Sequence, residues 1–419
     1  MTPPHAAGTE RLLRNRDFTL LWVGDVVSGL GSEASSIAMP LLVLSLTGSP
    51  TKAGVVGFAR ALAYPLTTLP AGVLADRVDR RVLMIVCAAG RGLAMGSIVL
   101  LLALGRPPLG QLLAVAFVDA ALWSASLIAE RGLLPAVVPG EQLADAVAFN
   151  EARESVAVVG GPALGGALFG LARALPFAAD TASFAAAMLT LLGIRTRVAP
   201  TIRPERSPGS PARQALRDIG EGVSWLWRAP FLRAGSLLYA AANVTLGAVL
   251  LLGVLVARHQ GASSAAIGVA YAIVGAGGVV GATLAGPLRR RLGTRWSVVC
   301  EPWFSVVFVP LLLLCHSAVA VGIVIGLGLM PIALSSSVVV GHRLTLTPDH
   351  LRGRVQAAAS FLAGSLAWLG PLAIGVLFQE GGEAVAVLVL AGWALAVALA
   401  ATLSRGLRQA PAAPVIPRP

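Results

Sequence analysis

The sequence predicts an all-α membrane protein, with twelve transmembrane helices in two pseudo-symmetric six-helix bundles. Composition, a succession of long apolar runs and a charged fragment that recurs once in each half predict it together. Of 419 residues, 56% are apolar and 12% charged, and mean hydropathy is +0.80. A soluble domain holds about half apolar and a quarter charged residues. At about 20 residues per span, the chain has room for roughly a dozen helices. Strands of a β-barrel would be alternating segments of about ten residues, and the runs here are continuous and longer.

In order, the runs place the first six spans at Phe18–Leu46, Ala53–Ala75, Val82–Leu104, Leu109–Ala129, Leu143–Leu171 and Phe177–Ile194. Six more follow at Phe231–Ala257, Ala265–Leu288, Trp296–Cys315, Ala318–Leu344, Val355–Phe378 and Ala384–Leu403. The domains are then a cytosolic segment 1–17, a bundle 18–194, a linker 195–230, a second bundle 231–404 and a tail 405–419. Pro, Ser and Arg crowd the linker. Within it, Ala212–Trp227 reads either as an amphipathic helix on the bilayer, with Trp225 and Trp227 at headgroup level, or as a solvated charge run.

Charge sets the orientation. Arg11, Arg14 and Arg16 precede the first span, and most other arginines fall on alternate loops, from Arg77, Arg80 and Arg81 to Arg352, Arg354, Arg405 and Arg408. The opposite loops carry only Lys52, Arg106, Arg173 and Arg258. By the positive-inside rule both termini are cytosolic, in a multi-pass cell-membrane protein. The net charge of +12 reads as a topology signal suited to anionic lipid, with no nucleic-acid partner. The first apolar run is too long for a signal peptide and lacks a cleavage site. Cys87, Cys300 and Cys315 fall in or beside spans, so neither a disulfide framework nor a metal site is implied. No cofactor is expected, and the chain is read as a monomer.

The halves repeat each other. Gly72-Val73-Leu74-Ala75-Asp76-Arg77-Val78-Asp79-Arg80-Arg81 shares its frame with Gly286–Arg295, each after the second span of its half. Gly161-Pro162-Ala163-Leu164-Gly165-Gly166 in span five has a counterpart in Gly370-Pro371-Leu372-Ala373-Ile374-Gly375 in span eleven. Duplicated halves are the architecture of transporters that rock around a central site. Gly72–Arg81 resembles the loop motif G-x-L-a-D-R-x-G-R-R of the major facilitator superfamily, with Asp79 at its second Gly. Gly161–Gly166 resembles G-P-x-x-G-G of that superfamily's antiporters, with Ala157 where a leading Gly is usual. Arg14–Phe18, Leu46–Pro50, Leu134-Pro135, Pro176-Phe177 and Thr347–Arg354 resemble the enterobactin-exporter and macrolide-efflux branch, the transmembrane secretion effectors. The resemblance covers nearly the whole chain and implies export.

Physical roles for these residues can be stated directly. The Asp76 carboxylate could latch the cytosolic side against a helix N-terminus or an arginine, with Arg352 and Arg354 as partners. The alternative is that this loop, with Gly72, Arg77, Arg80 and Arg81, only sets topology. Pro162 weakens span five locally, while Gly161, Gly165 and Gly166 permit close packing; ordinary small-residue packing is the alternative. Charges inside spans are costly unless paired, protonated or hydrated. They are Asp25, Glu33, Arg60, Arg91, Asp119, Glu151, Arg153 and Glu154. Glu33 and Asp119 lie nearest mid-membrane and are the preferred proton-coupling carboxylates, followed by Asp25, Glu151 and Glu154. For each, a structural arginine pair or a helix cap is the alternative. Arg60, Tyr64, Trp123, Asn243, Tyr271 and Trp368 are candidates to line a substrate cavity, because aromatics with few fixed donors suit bulky, partly apolar ligands.

Other functions find little support. The glycine run Gly275–Gly281 lies inside an apolar span and follows no strand, which argues against a nucleotide loop. Lys52 is the only lysine, so no phosphate loop ending in Gly-Lys exists. The five histidines, at 5, 259, 316, 342 and 350, are scattered, which disfavours a membrane enzyme. The expectation is a secondary transporter, not an enzyme. It would export a small amphiphilic compound, such as a drug, macrolide, siderophore or secondary metabolite, in exchange for protons by alternating access. A proton-coupled importer on the same fold is the alternative, and a non-transporting membrane enzyme is a further one.

Overall fold

The computed structural model describes residues 12, 14–105, 107–196, 211–348 and 351–408; side chains at 69, 73, 76 and 211–219 lie outside the described set. Among the described residues every regular element is helical. The first six long helices are α1 (Arg16–Thr47), α2 (Pro50–Arg77), α3 (Arg80–Leu104), α4 (Leu109–Val137), α5 (Leu143–Leu171) and α6 (Leu175–Gly193). The linker contributes α7 (Pro211–Arg228). Then come α8 (Pro230–His259), α9 (Ser264–Leu311), α10 (Ala318–Leu329), α11 (Ile332–Leu346), α12 (Arg352–Ser365), α13 (Leu369–Leu403) and the short α14 (Arg405–Arg408).

Nine helical stretches among the described residues are long and apolar enough to cross a membrane. Two of them, Ser264–Leu314 and Arg352–Leu403, run to 51 and 52 residues, far beyond the roughly 20 that one crossing needs. Each bends at a glycine of positive φ, Gly293 (70°) and Gly382 (76°), a conformation that costs other L-residues a clash at Cβ. These bends fall where the apolar pattern predicts the loops between spans eight and nine and between spans eleven and twelve. Helix α2 is not among the nine, and its 28 residues include Lys52, Arg60, Asp76 and Arg77. Large apolar side chains such as Leu93 (77% exposed) and Leu189 (66%) face outward, an arrangement that suits lipid and not water.

Three boundaries depart from the sequence reading. Span four continues through Glu130 to Val137. Span ten is broken between α10 and α11 at Met330 and Pro331. Span eleven is broken between α12 and α13, where the Ala367, Leu369 and Gly370 amides bond carbonyls three residues back. Pro371 explains that last break, because its ring clashes with the carbonyl of Ala367 in a regular helix.

By contacts the chain forms two compact units, Met1–Leu46 with Leu66–Pro208, and Thr47–Pro65 with Gly209–Pro419. In the first, α3 packs along α4 and α6, around a core that includes Phe18, Leu21, Cys87, Leu133 and Leu191. In the second, α8 packs on α13, α9 on α10, and α7 on α12. The first half of α2 belongs to this second unit. There Thr51 Oγ1 donates to the Gly375 carbonyl (3.3 Å) and Ser49 Oγ to Gln379 (2.5 Å).

Candidate functional site: buried charge networks in the helical units

In the first unit, α5 carries Arg153 into the interior, 8% exposed, where it meets acids from two other helices. Its Nη1 lies 2.7 Å from Asp25 Oδ2 on α1, and its Nη2 lies 3.0 Å from Glu130 Oε1 on α4. Glu154 stands at 3.8 Å, and Asn150 Nδ2 also donates to Glu130 (3.2 Å). Despite the short approach, Asp25 Oδ2 has no aligned hydrogen bond. One guanidinium thus bridges two carboxylates from two helices. Such a cluster can change its net charge by one proton without losing its central cation.

A second network lies on α1, α3, α4 and α6. Arg91 Nε bonds Asp119 Oδ1 at 2.7 Å, Arg91 Nη2 donates to Ser32 Oγ at 3.1 Å, and the guanidinium sits 4.4 Å from the Phe184 ring centroid. Beside it Asp180, fully buried, accepts from Ser35 Oγ (2.5 Å) and Ser183 Oγ (3.3 Å). Ser32 and Ser35 lie three residues apart on α1 and so share a face. Of the candidate coupling carboxylates, Asp119 is therefore in a charged network, Asp25 is held by Arg153, and Glu151 is exposed. Glu33 is half-buried, with Ser36 Oγ 3.5 Å from its Oε2, where α5 crosses α1.

That crossing is made by the glycines. A Cβ on Gly161 would lie 3.1 Å from the Leu30 carbonyl, and one on Gly165 would lie 2.7 Å from the Ala34 Cα, so the two backbones touch. Pro162 stays within a continuous helix, and Gly166 is buried behind it. The second unit repeats the arrangement: a Cβ on Gly370 would lie 2.8 Å from the Ala248 amide of α8 and also meet the Val244 carbonyl. The shift that takes Gly72–Arg81 onto Gly286–Arg295 takes Leu30 onto Val244.

In the loop motif, Asp79 caps α3, its Oδ1 accepting from the Arg81 amide (2.8 Å) and the Val82 amide (3.3 Å). Arg80 donates to the Gly132 carbonyl at 2.6 Å, and Arg81 to the Leu191 and Leu192 carbonyls at 2.8 Å each. These arginines stand at the negative C-terminal ends of α4 and α6, where helix dipoles favour a cation. The proposed Asp76 latch concerns a side chain outside the described residues. Gly72 has open space around it and Arg77 is exposed. Arg352 is exposed, and Arg354 ion-pairs with Glu221 of α7. The linker helix is therefore docked on α12 through charge and through Gly222, whose Cβ would meet the Arg354 carbonyl carbon at 2.7 Å.

The cavity candidates are divided between the two units. Trp123 is in the first unit and 42% exposed. Arg60, Tyr64, Asn243, Tyr271 and Trp368 are in the second. There Tyr64 packs against Gly364, and Trp368 lies edge-on to Phe58 at 5.3 Å. Asn243 donates to the Tyr239 carbonyl (2.9 Å), and Tyr271 to the Leu250 carbonyl. These last two bonds are within the helix packing. Arg60 is exposed. Among the described residues no cluster of His, Cys, Asp or Glu could hold a metal ion, and Cys87, Cys300 and Cys315 are free thiols.

The sequence model of the family described as transmembrane secretion effector matches residues 8–419. The chain belongs to this family of the major facilitator superfamily. It is similar to the multidrug efflux pump Tap of Mycobacterium tuberculosis, 27% identical over 411 residues, covering 94% of this chain and 95% of that one. It is also similar to macrolide efflux protein A of Streptococcus pyogenes, 26% identical over 157 residues, 36% of this chain and 38% of the relative. Among solved structures it resembles a bacterial homologue of the iron transporter ferroportin in an inward-facing state, with a TM-score of 0.69, 18% identity, and coverage of 93% of this chain and 98% of that one. The fold is that of major facilitator transporters, and the chain is a membrane transporter of small molecules, not an enzyme.

Three acids of this secretion effector, two of them buried and Glu130 half-buried, escaped the sequence reading. Glu130 lies one residue beyond the end assigned to span four. Asp180 and Glu301 stand in plain view inside the runs Phe177–Ile194 and Trp296–Cys315, and a carboxyl inside an apolar run was the signal for both.

Proposed function

We propose that this secretion effector exports a small amphiphilic compound from the cytosol in exchange for protons, by alternating access. In this reading both termini are cytosolic and the protein sits in the cell membrane as a monomer. The observation that carries the reading is Arg153 shared between Asp25 and Glu130. A cluster of one buried cation and two largely buried acids is costly to keep for stability alone, and it offers a proton site whose occupancy changes the charge that binds α1, α4 and α5 together. Asp119 and Glu33 remain candidates in the same unit, one in the Arg91 network and one at the α1–α5 crossing. The names of the related efflux pumps support outward drug movement. A membrane potential of 100 mV supplies about 2.3 kcal/mol per charge, which with a pH gradient is enough to drive accumulation.

Ethidium efflux in inverted membrane vesicles, energised by an imposed pH gradient, tests the reading. Vesicles with the wild-type chain should accumulate ethidium and release protons as they do so, and Arg153→Gln should reduce both to the empty-vesicle level while the protein remains in the membrane. Accumulation that is indifferent to the gradient, or full activity of Arg153→Gln, would refute proton exchange through this cluster.

A further inference from the structure

The two units treat one buried position differently. The shift that superposes the charged fragments takes Ser32 onto Leu246 and Arg91 onto Ser305. Both residues of the first unit belong to the Arg91 network. Their two counterparts line a single cavity in the second unit. Replacing a guanidinium by a serine hydroxymethyl removes volume. The cavity volume is about 20 Å³, above the roughly 10–15 Å³ that one water needs and far below the roughly 300 Å³ of a small-molecule site.

One ionisable group lines this cavity. Glu301, at the position of Cys87 and one helical turn before Ser305, is 7% exposed. Its carboxyl lies beside Ser335 of α11, itself 2% exposed, and among the described residues no ion pair reaches it. The titratable groups near it are Tyr239 of α8 and its own neighbour Cys300, and Arg343 of α11 lies near Tyr239. None of these supplies the kind of contact that Arg91 gives Asp119.

We propose that Glu301 is a proton-carrying site of the second unit, reached by water through this cavity. An ionised carboxylate without a cation is expensive inside a membrane protein, whereas the neutral acid can donate one hydrogen bond and accept others. The cavity is too small for an exported compound, so its occupant is water and the group it serves is a proton. In the transport cycle Glu301 takes a proton from one side and gives it up to the other, with no other bond made or broken. This inference rests on the transporter reading for its role, but not for the protonation itself.

Infrared difference spectra of the purified full chain in phosphatidylethanolamine–phosphatidylglycerol nanodiscs, recorded between acidic and alkaline buffer, test the protonation without any substrate. Wild-type protein should lose a protonated-carboxyl band on alkalinisation. Glu301→Gln should lack that band, and Ser335→Ala should shift its frequency, because the hydroxyl beside the carboxyl is gone. A spectrum of Glu301→Gln identical to wild type overturns the proposal, as does a band unmoved in Ser335→Ala. The same variants in ethidium-loaded vesicles separate the two readings. Loss of the pH-driven component in Glu301→Gln supports the transport role, and retention of the full pH-driven rate overturns it. Wild-type vesicles that fail to move ethidium at all count against export of lipophilic cations, and the infrared result still decides whether Glu301 holds the proton.

Discussion

Removing either partner of the Arg91–Asp119 pair leaves a charge in a site built to neutralise it. Arg91 is 7% and Asp119 1% exposed, with 2.7 Å between the bonded atoms. Breaking a buried pair by deleting one side costs about 3–5 kcal/mol, while replacing both by apolar residues of similar volume is neutral or stabilising by about 1–4 kcal/mol. An ordinary interhelical hydrogen bond in a membrane protein is worth about 0.6 kcal/mol in double-mutant cycles, so the ion pair is separable from the background of neutral contacts. Arg91→Met and Asp119→Leu should therefore each destabilise by about 3–5 kcal/mol, and the double variant should return close to wild type. Equilibrium unfolding in mixed micelles of dodecylmaltoside and dodecyl sulfate gives all four corners of the cycle. Losses that simply add in the double variant would mean that the two groups act independently, and the reading of the network as one electrostatic unit would fail.

Two further outcomes follow from the helix ends and crossings. Asp79→Ala should cost about 1 kcal/mol by removing the α3 cap, and Asp79→Gly only a few tenths, while both leave transport intact; the same micelle titration reads the loss, and an unchanged midpoint in Asp79→Ala would show the cap to be idle. Gly165→Leu should prevent assembly of the first unit, since its Cβ alone would meet the Ala34 backbone; a monodisperse peak of wild-type height in fluorescence size-exclusion would refute the contact.

Most helix positions were legible because a membrane span has one dominant requirement, about 20 apolar residues in a row. Positive-φ turns at Gly293 and Gly382 were legible for the complementary reason that charge or glycine interrupts the run there. The breaks inside spans ten and eleven were harder to see. Pro331 and Pro371 sit in apolar stretches, and proline within a membrane helix is compatible with either continuity or a break. Pro162 of α5 and Pro371 show both outcomes in one chain. Among site residues, Arg153 and Arg91 were visible as charges, but their partners were not. Pairing depends on which helix faces which, and that is absent from any single run. Asp79 follows the local rule, an aspartate directly before a helix acting as its cap, at a position where the resembled motif carries glycine.

At the crossings of Gly161 and Gly165 over α1, and of Gly370 over α8, the touching surfaces are peptide planes with few side chains between them. A packed interface of interlocking side chains resists sliding, because each small displacement forces rotamers to change together. A backbone-on-backbone contact carries no rotamers to reset, so it acts as a bearing: stiff against separation, compliant to shear along the helix. The duplicated glycine–proline segments thus bring backbone against backbone in each unit, the kind of contact that would permit small sliding of packed helices.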